Sequence, residues 1–158
     1  INKLNKEELW VIFTETIKRL RELGEIKGKN LVGDRGELLA VSIYNETPKL
    51  PKLQLAPPST KNIDAISVKG DRYSIKTISF PNRTTGVFHG YGSPDKPINK
   101  KLFEYLIIVV LDEYLPHLVL EINWKDFYKL KKWHSTMQAY NITLTKEVLS
   151  KAKIIYKK

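Results

Sequence analysis

The chain has 158 residues, of which 42% are hydrophobic and 28% charged, a composition that suits one soluble domain with its own core. With 27 Lys and Arg against 17 Asp and Glu, the net charge of +10 points to a polyanionic partner, since basic surfaces bind phosphates and release their counterions. The absence of cysteine excludes disulfides, thiolate metal sites and a cysteine nucleophile.

Along the chain, Leu9, Ile12, Phe13, Thr16, Ile17, Leu20 and Leu23 recur at helical spacing. They predict an amphipathic helix from Lys6 to Leu23, opened by Asn5 with Glu8 three residues on and ended by Gly24. Polar Glu25 to Asp34, with Gly28 and Gly33, reads as a loop. A second helix is expected from Arg35 to Tyr44, burying Leu38, Leu39, Val41 and Ile43. Thr47 to Thr60 carries Pro48, Pro51, Pro57 and Pro58, which argue against helix. A hairpin should follow: Asn62 to Val68, a turn at Gly70-Asp71, then Arg72 to Ile78.

Pro81 to Pro97, rich in Gly, Thr, Asn and Ser, reads as a long functional loop. The apolar, β-branched runs Phe103 to Leu111 and Leu118 to Asn123 read as strands. Trp124 to Trp133 has the pattern of a basic amphipathic helix. The remainder predicts a short strand, a helix capped by Thr145 and a terminal strand around Ile154 to Tyr156. The element order predicts an α/β fold, a single domain over residues 1–158 whose central mixed β-sheet is flanked by α-helices. No apolar run is long enough to span a bilayer and no secretory signal is visible, so a cytoplasmic protein without membrane contact is expected.

Four residues stand out as candidate chemistry: Glu37, Asp64, Ser74 and Lys76. Ser74 and Lys76 are two apart in a strand and so share a face. A strict two-residue turn would set them opposite to Asp64, whereas a three-residue loop or a bulge would bring all three to one face. An active site therefore requires an odd-length loop or a bulge.

Gly36-Glu37-Leu38-Leu39-Ala40 in a helix, the leader Leu55-Ala56-Pro57-Pro58, Ile63-Asp64 and Tyr73-Ser74-Ile75-Lys76 together resemble the PD-(D/E)xK, or restriction-endonuclease-like, nucleases. The order of helix, hairpin and two apolar strands extends the resemblance from about residue 6 to about residue 133. It implies a restriction-endonuclease-like mixed sheet, a Mg²⁺ site (Mn²⁺ substituting) held by Asp64 and Glu37, and Lys76 stabilising charge or positioning the attacking water. The implied activity is endonucleolytic hydrolysis of DNA, as a type II restriction enzyme or a subunit of one. Double-strand cleavage then implies a homodimer or a partner subunit. The departure is Ser74, which stands where the family usually has Glu or Asp. Some members carry a neutral residue there and recruit an acid elsewhere, and Glu37 is the better donor of that charge, because His89 and Gly90 occupy the neighbourhood where a migrated Glu would lie.

Other readings stand beside this one. Asp64 could end a strand, and Lys76 could be a solvated lysine on the outer face of a hairpin. A catalytically inactive nucleic-acid-binding module of the same fold is the alternative that Ser74 suggests, and a protein-interaction domain meeting an acidic partner is a third. Arg83, His89, Lys100 and Lys101, in or beside the long loop, are candidates for DNA contact or for an ordinary surface. His89, His117 and His134 are too scattered for a zinc site.

Overall fold

Six strands form one mixed sheet, and two separate apolar clusters cover its faces. A computed structural model describes residues 1–158. The elements are α1 (Lys6–Glu22), α2 (Leu31–Glu46), β1 (Leu53–Leu55), β2 (Ala65–Ser67), β3 (Arg72–Ser79), β4 (Tyr105–Asp112), β5 (Leu115–Asn123), α3 (Trp124–Leu130), β6 (Lys132–His134), β7 (Ala139–Asn141), α4 (Lys146–Lys151) and β8 (Lys153–Lys157). The sheet order is β1-β2-β3-β4-β5-β8, with β6 and β7 forming a separate ribbon. Only β3 and β4 run parallel. The protein is thus a single-domain α/β fold, as its element order predicts. No helix is long and apolar enough to cross a membrane.

The central strand explains the layering. Leu106 to Leu111 are all buried, as expected of a strand covered on both faces. Because side chains alternate, Leu106, Ile108 and Val110 join the cluster containing Phe103 and Phe127, whereas Ile107, Val109 and Leu111 join the one beneath α2. The long loop between β3 and β4 is irregular, but it is not free. Phe88 and Tyr91 are buried in the first cluster, Phe88 lies 4.9 Å from the Phe127 ring, and Thr84 and Phe88 bridge to Thr143 and Tyr140.

Several boundaries differ from expectation. The second helix begins at Leu31, not Arg35. Asn30 caps it by accepting the Gly33 N–H, and Asp34 in its first turn accepts the N–H groups of Lys27 and Gly28, so the expected loop is shorter. Its buried face is Gly36, Leu39, Ala40 and Tyr44, with Leu38, Val41 and Ile43 half-buried. The proline-rich stretch contains β1, an edge strand that flanking prolines tolerate because its outer N–H groups need no partner. The third helix stops at Leu130. Trp133 instead pairs with Tyr140 across the β6–β7 ribbon, their rings 5.0 Å apart, a tertiary contact that overrides the helical pattern.

The first helix has the predicted bounds within a residue. Its capping box is complete: Asn5 Oδ1 accepts the Glu8 N–H, and Glu8 accepts the Asn5 N–H. Gly24 takes φ +78°, the left-handed conformation that ends a helix. Yet none of its residues is buried.

Candidate active site

The hairpin geometry decides which side chains can meet. Ala65 pairs with Tyr73 and Ile66 with Arg72, and the Ser67 N–H donates to the Asp71 carbonyl at 2.9 Å. The connection is therefore the three residues Val68, Lys69 and Gly70, with Gly70 at φ +87°, and not the two-residue Gly70-Asp71 turn. An odd-length loop sets Asp64 opposite Ser74, on the side that Lys76 shares. The leader runs alongside, its Ala56 N–H donating to the Asp64 carbonyl at 2.9 Å.

The β2 strand is short and β3 is long, so beyond Asp64 the outer edge of β3 has no strand neighbour. Into this notch come Asp64 from the hairpin, Lys76 from β3 and Glu37 from α2. They line one cavity of about 190 Å³ together with Asn30, Gly33 and Thr77. Asp64 is held in place: its Oδ2 accepts the Ile75 N–H at 2.6 Å and the Ser74 hydroxyl at 3.3 Å. Neither its Oδ1 nor the Glu37 carboxylate is engaged by a hydrogen bond or an ion pair within the protein.

Burial raises the pKa of Glu37, and repulsion from Asp64 adds to it, with Lys27 and Lys76 opposing. Burial lowers the pKa of Lys76 against the attraction of Asp64 and Glu37. Lys76 forms no ion pair. Its Nζ donates to the Val87 carbonyl at 3.2 Å and lies 4.9 Å from the centre of the Phe88 ring. The long loop thus holds the lysine head through a carbonyl and an aromatic ring.

Gly36 sets how closely α2 approaches the sheet. A Cβ at this position would lie 2.9 Å from the Cβ and Cγ2 of Thr77, and nearer still to its Oγ1. Gly36 precedes Glu37 and Thr77 follows Lys76, and Glu37, Lys76 and Thr77 all line this cavity.

The other candidates lie elsewhere. Ser74 is buried and does not line the cavity; its hydroxyl holds Asp64, so it acts through that carboxylate. The Arg83 guanidinium donates to the Leu144 carbonyl and its own carbonyl accepts the Leu144 N–H, which ties the loop to the segment before α4. His89 is exposed, Lys100 borders a separate shallow cavity with Trp124 and Tyr128, and Lys101 pairs with Glu104 at 3.4 Å. None of the four lines the Glu37–Asp64–Lys76 cavity. Sequence reasoning missed Val87, Phe88, Thr77 and Tyr91. Burial, helped by the charge of Asp64, pushes the Tyr91 hydroxyl well above its ordinary pKa, so it stays protonated beside the site. Nothing in its Gly90-Tyr91-Gly92 context marks it.

The donor set suits a hard divalent cation. Mg²⁺ needs only one or two carboxylates besides water and substrate phosphate, and Glu37 and Asp64 supply two. No third Asp, Glu, His or Cys joins them in a metal-binding group. A cation between them would relieve the repulsion that raises Glu37.

No protein-family model matches the chain, and no curated protein matches it significantly. The fold and the site define an α/β domain with two carboxylates and a lysine gathered at an open sheet edge.

Proposed function

We propose that this protein is a Mg²⁺-dependent endodeoxyribonuclease on a restriction-endonuclease-like version of the α/β fold. The observation that carries the reading is the convergence of Glu37, Asp64 and Lys76, far apart in sequence, on one cavity. The net charge of +10 supports a polyanionic substrate. Mn²⁺ would substitute for Mg²⁺.

Bound magnesium would supply Lewis acidity at the scissile phosphate and an acidified water. Asp64, fixed by the Ile75 amide and Ser74, and Glu37, delivered by α2, would hold that ion. Lys76, steered by the Val87 carbonyl, would place a positive charge where negative charge builds on the phosphate oxygens. Ser74 keeps the Asp64 carboxylate aimed and leaves the protein with two acids in the site.

That two-acid set also favours a second reading, a DNA-binding module without catalysis. Cleavage of supercoiled and linear duplex DNA with Mg²⁺ or Mn²⁺, with EDTA and Lys76→Ala controls, separates the two. Cutting that requires metal and falls by orders of magnitude in Lys76→Ala, with DNA binding retained, is expected. Salt-sensitive DNA binding without cutting would establish the module instead.

A further inference from the structure

We propose that the face formed by the end of α3, by β6 and by the start of α4 docks a nucleic-acid phosphate backbone, with Lys129, Lys131, Lys132 and Lys146 as its cations. The inference rests on the reading of a nucleic-acid partner, and it holds whether or not the notch cuts.

The starting point is where the positive charge sits. From Asn123 to Lys158 the chain carries nine lysines against two acids, Asp126 and Glu147, so this segment holds +7 of the net +10. None of the nine is in an ion pair; every ion pair of the protein lies before Tyr105. The fold then gathers four of them. Lys129 and Lys131 at the end of α3, Lys132 in β6 and Lys146 in α4 line one cavity of about 320 Å³, whose single acid is Glu147. It shares no residue with the Glu37–Asp64–Lys76 cavity.

Lys131 is a cation without a counter-charge. It is half-buried, its Nζ lies 3.8 Å from the centre of the Tyr128 ring and 4.2 Å from that of Tyr140, and it donates to the Tyr128 carbonyl at 3.2 Å. Burial lowers its pKa, and no carboxylate opposes that shift. A phosphate in the cavity would supply the missing charge. Because the two rings already hold the side chain, little of its freedom is left to lose on binding.

The surface suits a phosphate backbone better than other polyanions. Protein interfaces centre on apolar and aromatic groups and are poor in lysine. Here the two apolar lining residues are Val148, which is buried, and Leu130, which is half-buried, and the lysines dominate. A helix that lies on a membrane inserts an apolar face. The seven-residue α3 instead turns Phe127 into the core and packs Trp124 against Phe103, leaving Lys125 and Lys129 outward. Interfaces with nucleic acid are more polar and far more positive than those between proteins, and unpaired lysines are free to displace the counterions of successive phosphates.

Fluorescence anisotropy of a labelled short DNA duplex, titrated with the full chain in EDTA between about 50 and 200 mM salt, tests this. The triple variant Lys129→Gln, Lys132→Gln, Lys146→Gln removes three exposed charges. Its control is Lys3→Gln, Lys6→Gln, Lys69→Gln, which removes the same net charge elsewhere. The first should bind roughly tenfold or more weaker than wild type, with a salt slope smaller by about 0.9 for each lysine, and the control should change affinity less than about twofold. Wild-type binding that the two triple variants weaken equally would overturn this surface and leave the reading of a nucleic-acid partner standing. No binding of wild type even at the lowest salt would overturn both. Binding as tight, at equal charge, to poly-glutamate or to vesicles of phosphatidylserine and phosphatidylcholine, lost in the first triple variant, would assign the face to another partner. With EDTA present, none of these results depends on cleavage.

Discussion

Replacing Gly36 by alanine tests the contact that joins α2 to the candidate site. The added Cβ would lie 2.9 Å from Thr77 Cβ and Cγ2, where ordinary contact begins at 3.4 Å. A rotamer change can clear the Oγ1 or the Cγ2 position but not both, since two of the three positions on a threonine Cβ carry heavy atoms, and Thr77 Cβ itself is fixed to the backbone of β3. The helix and strand must therefore separate by at least about 0.5 Å, the difference between those two distances. Overpacking of this kind costs ~1–3 kcal/mol. Alanine recovers up to ~1 kcal/mol of helix propensity, and the expected net loss is about 1–2 kcal/mol. Urea denaturation reads this as a lower midpoint at unchanged slope. Gly86→Ala is the control, since a Cβ there meets nothing within 4 Å, and its effect should stay within ~0.5 kcal/mol. Thr77→Gly removes every atom in the clash, so Gly36→Ala should cost less in its presence than alone. On the nuclease reading, moving Glu37 with the helix should also slow cleavage roughly tenfold or more, because misplacement of about an ångström costs about a hundredfold. A Gly36→Ala protein as stable as wild type, with no coupling to Thr77→Gly, would refute the close-packing argument.

Three further outcomes are expected. Cleavage should fall as pH rises, at a pH below the ordinary lysine range, as Lys76 loses its proton; a rate that is flat through that limb would contradict this role. Because the folded-state pKa of Glu37 lies above its unfolded value, the native state binds the extra proton, and stability is lost as pH rises from the unfolded value through the folded one. Glu37→Gln should therefore abolish cutting while leaving the melting temperature at neutral pH unchanged or higher, and a clear fall in melting temperature would show that Glu37 is structural. Glu104 behaves oppositely: Arg72 bonds it through its amide, Nε and Nη2, holding its pKa down at about 2. Its contribution to stability is full above the unfolded value near 4.5 and is lost as pH falls towards 2. Glu104→Gln should cost about 1–2 kcal/mol at neutral pH after allowance for solvent exposure, and nothing at the acid end, by chemical denaturation at both.

Local chemistry was legible in the sequence wherever one segment carries its own physical signal. Asn5, Glu8 and Gly24 announce the ends of α1 because caps satisfy backbone groups within a few residues. The run Leu106 to Leu111 announces a strand covered on both faces. Glu37, Asp64 and Lys76 could be singled out by chemical type, and parity reduced the meeting of Asp64 with Lys76 to an odd-length hairpin loop or a bulge. Tertiary structure decided the rest. The loop length itself is set by the pairing of Ala65 with Tyr73, a contact no residue in the turn specifies. Asn30 caps a helix holding Gly33 and Gly36, residues with poor helix propensity, and the place of Gly36 makes sense only with Thr77 against it. Ser74 had the right strand and face for a catalytic group, yet burial turned its hydroxyl to Asp64 and out of the cavity. Val87 and Phe88 reach Lys76 because the aromatic cluster draws an irregular loop over the sheet. Amphipathic spacing established that α1 has a face to cover, but only the packed body reveals that the chain leaves it open: periodicity is a property of one helix, and burial is a property of what lies against it.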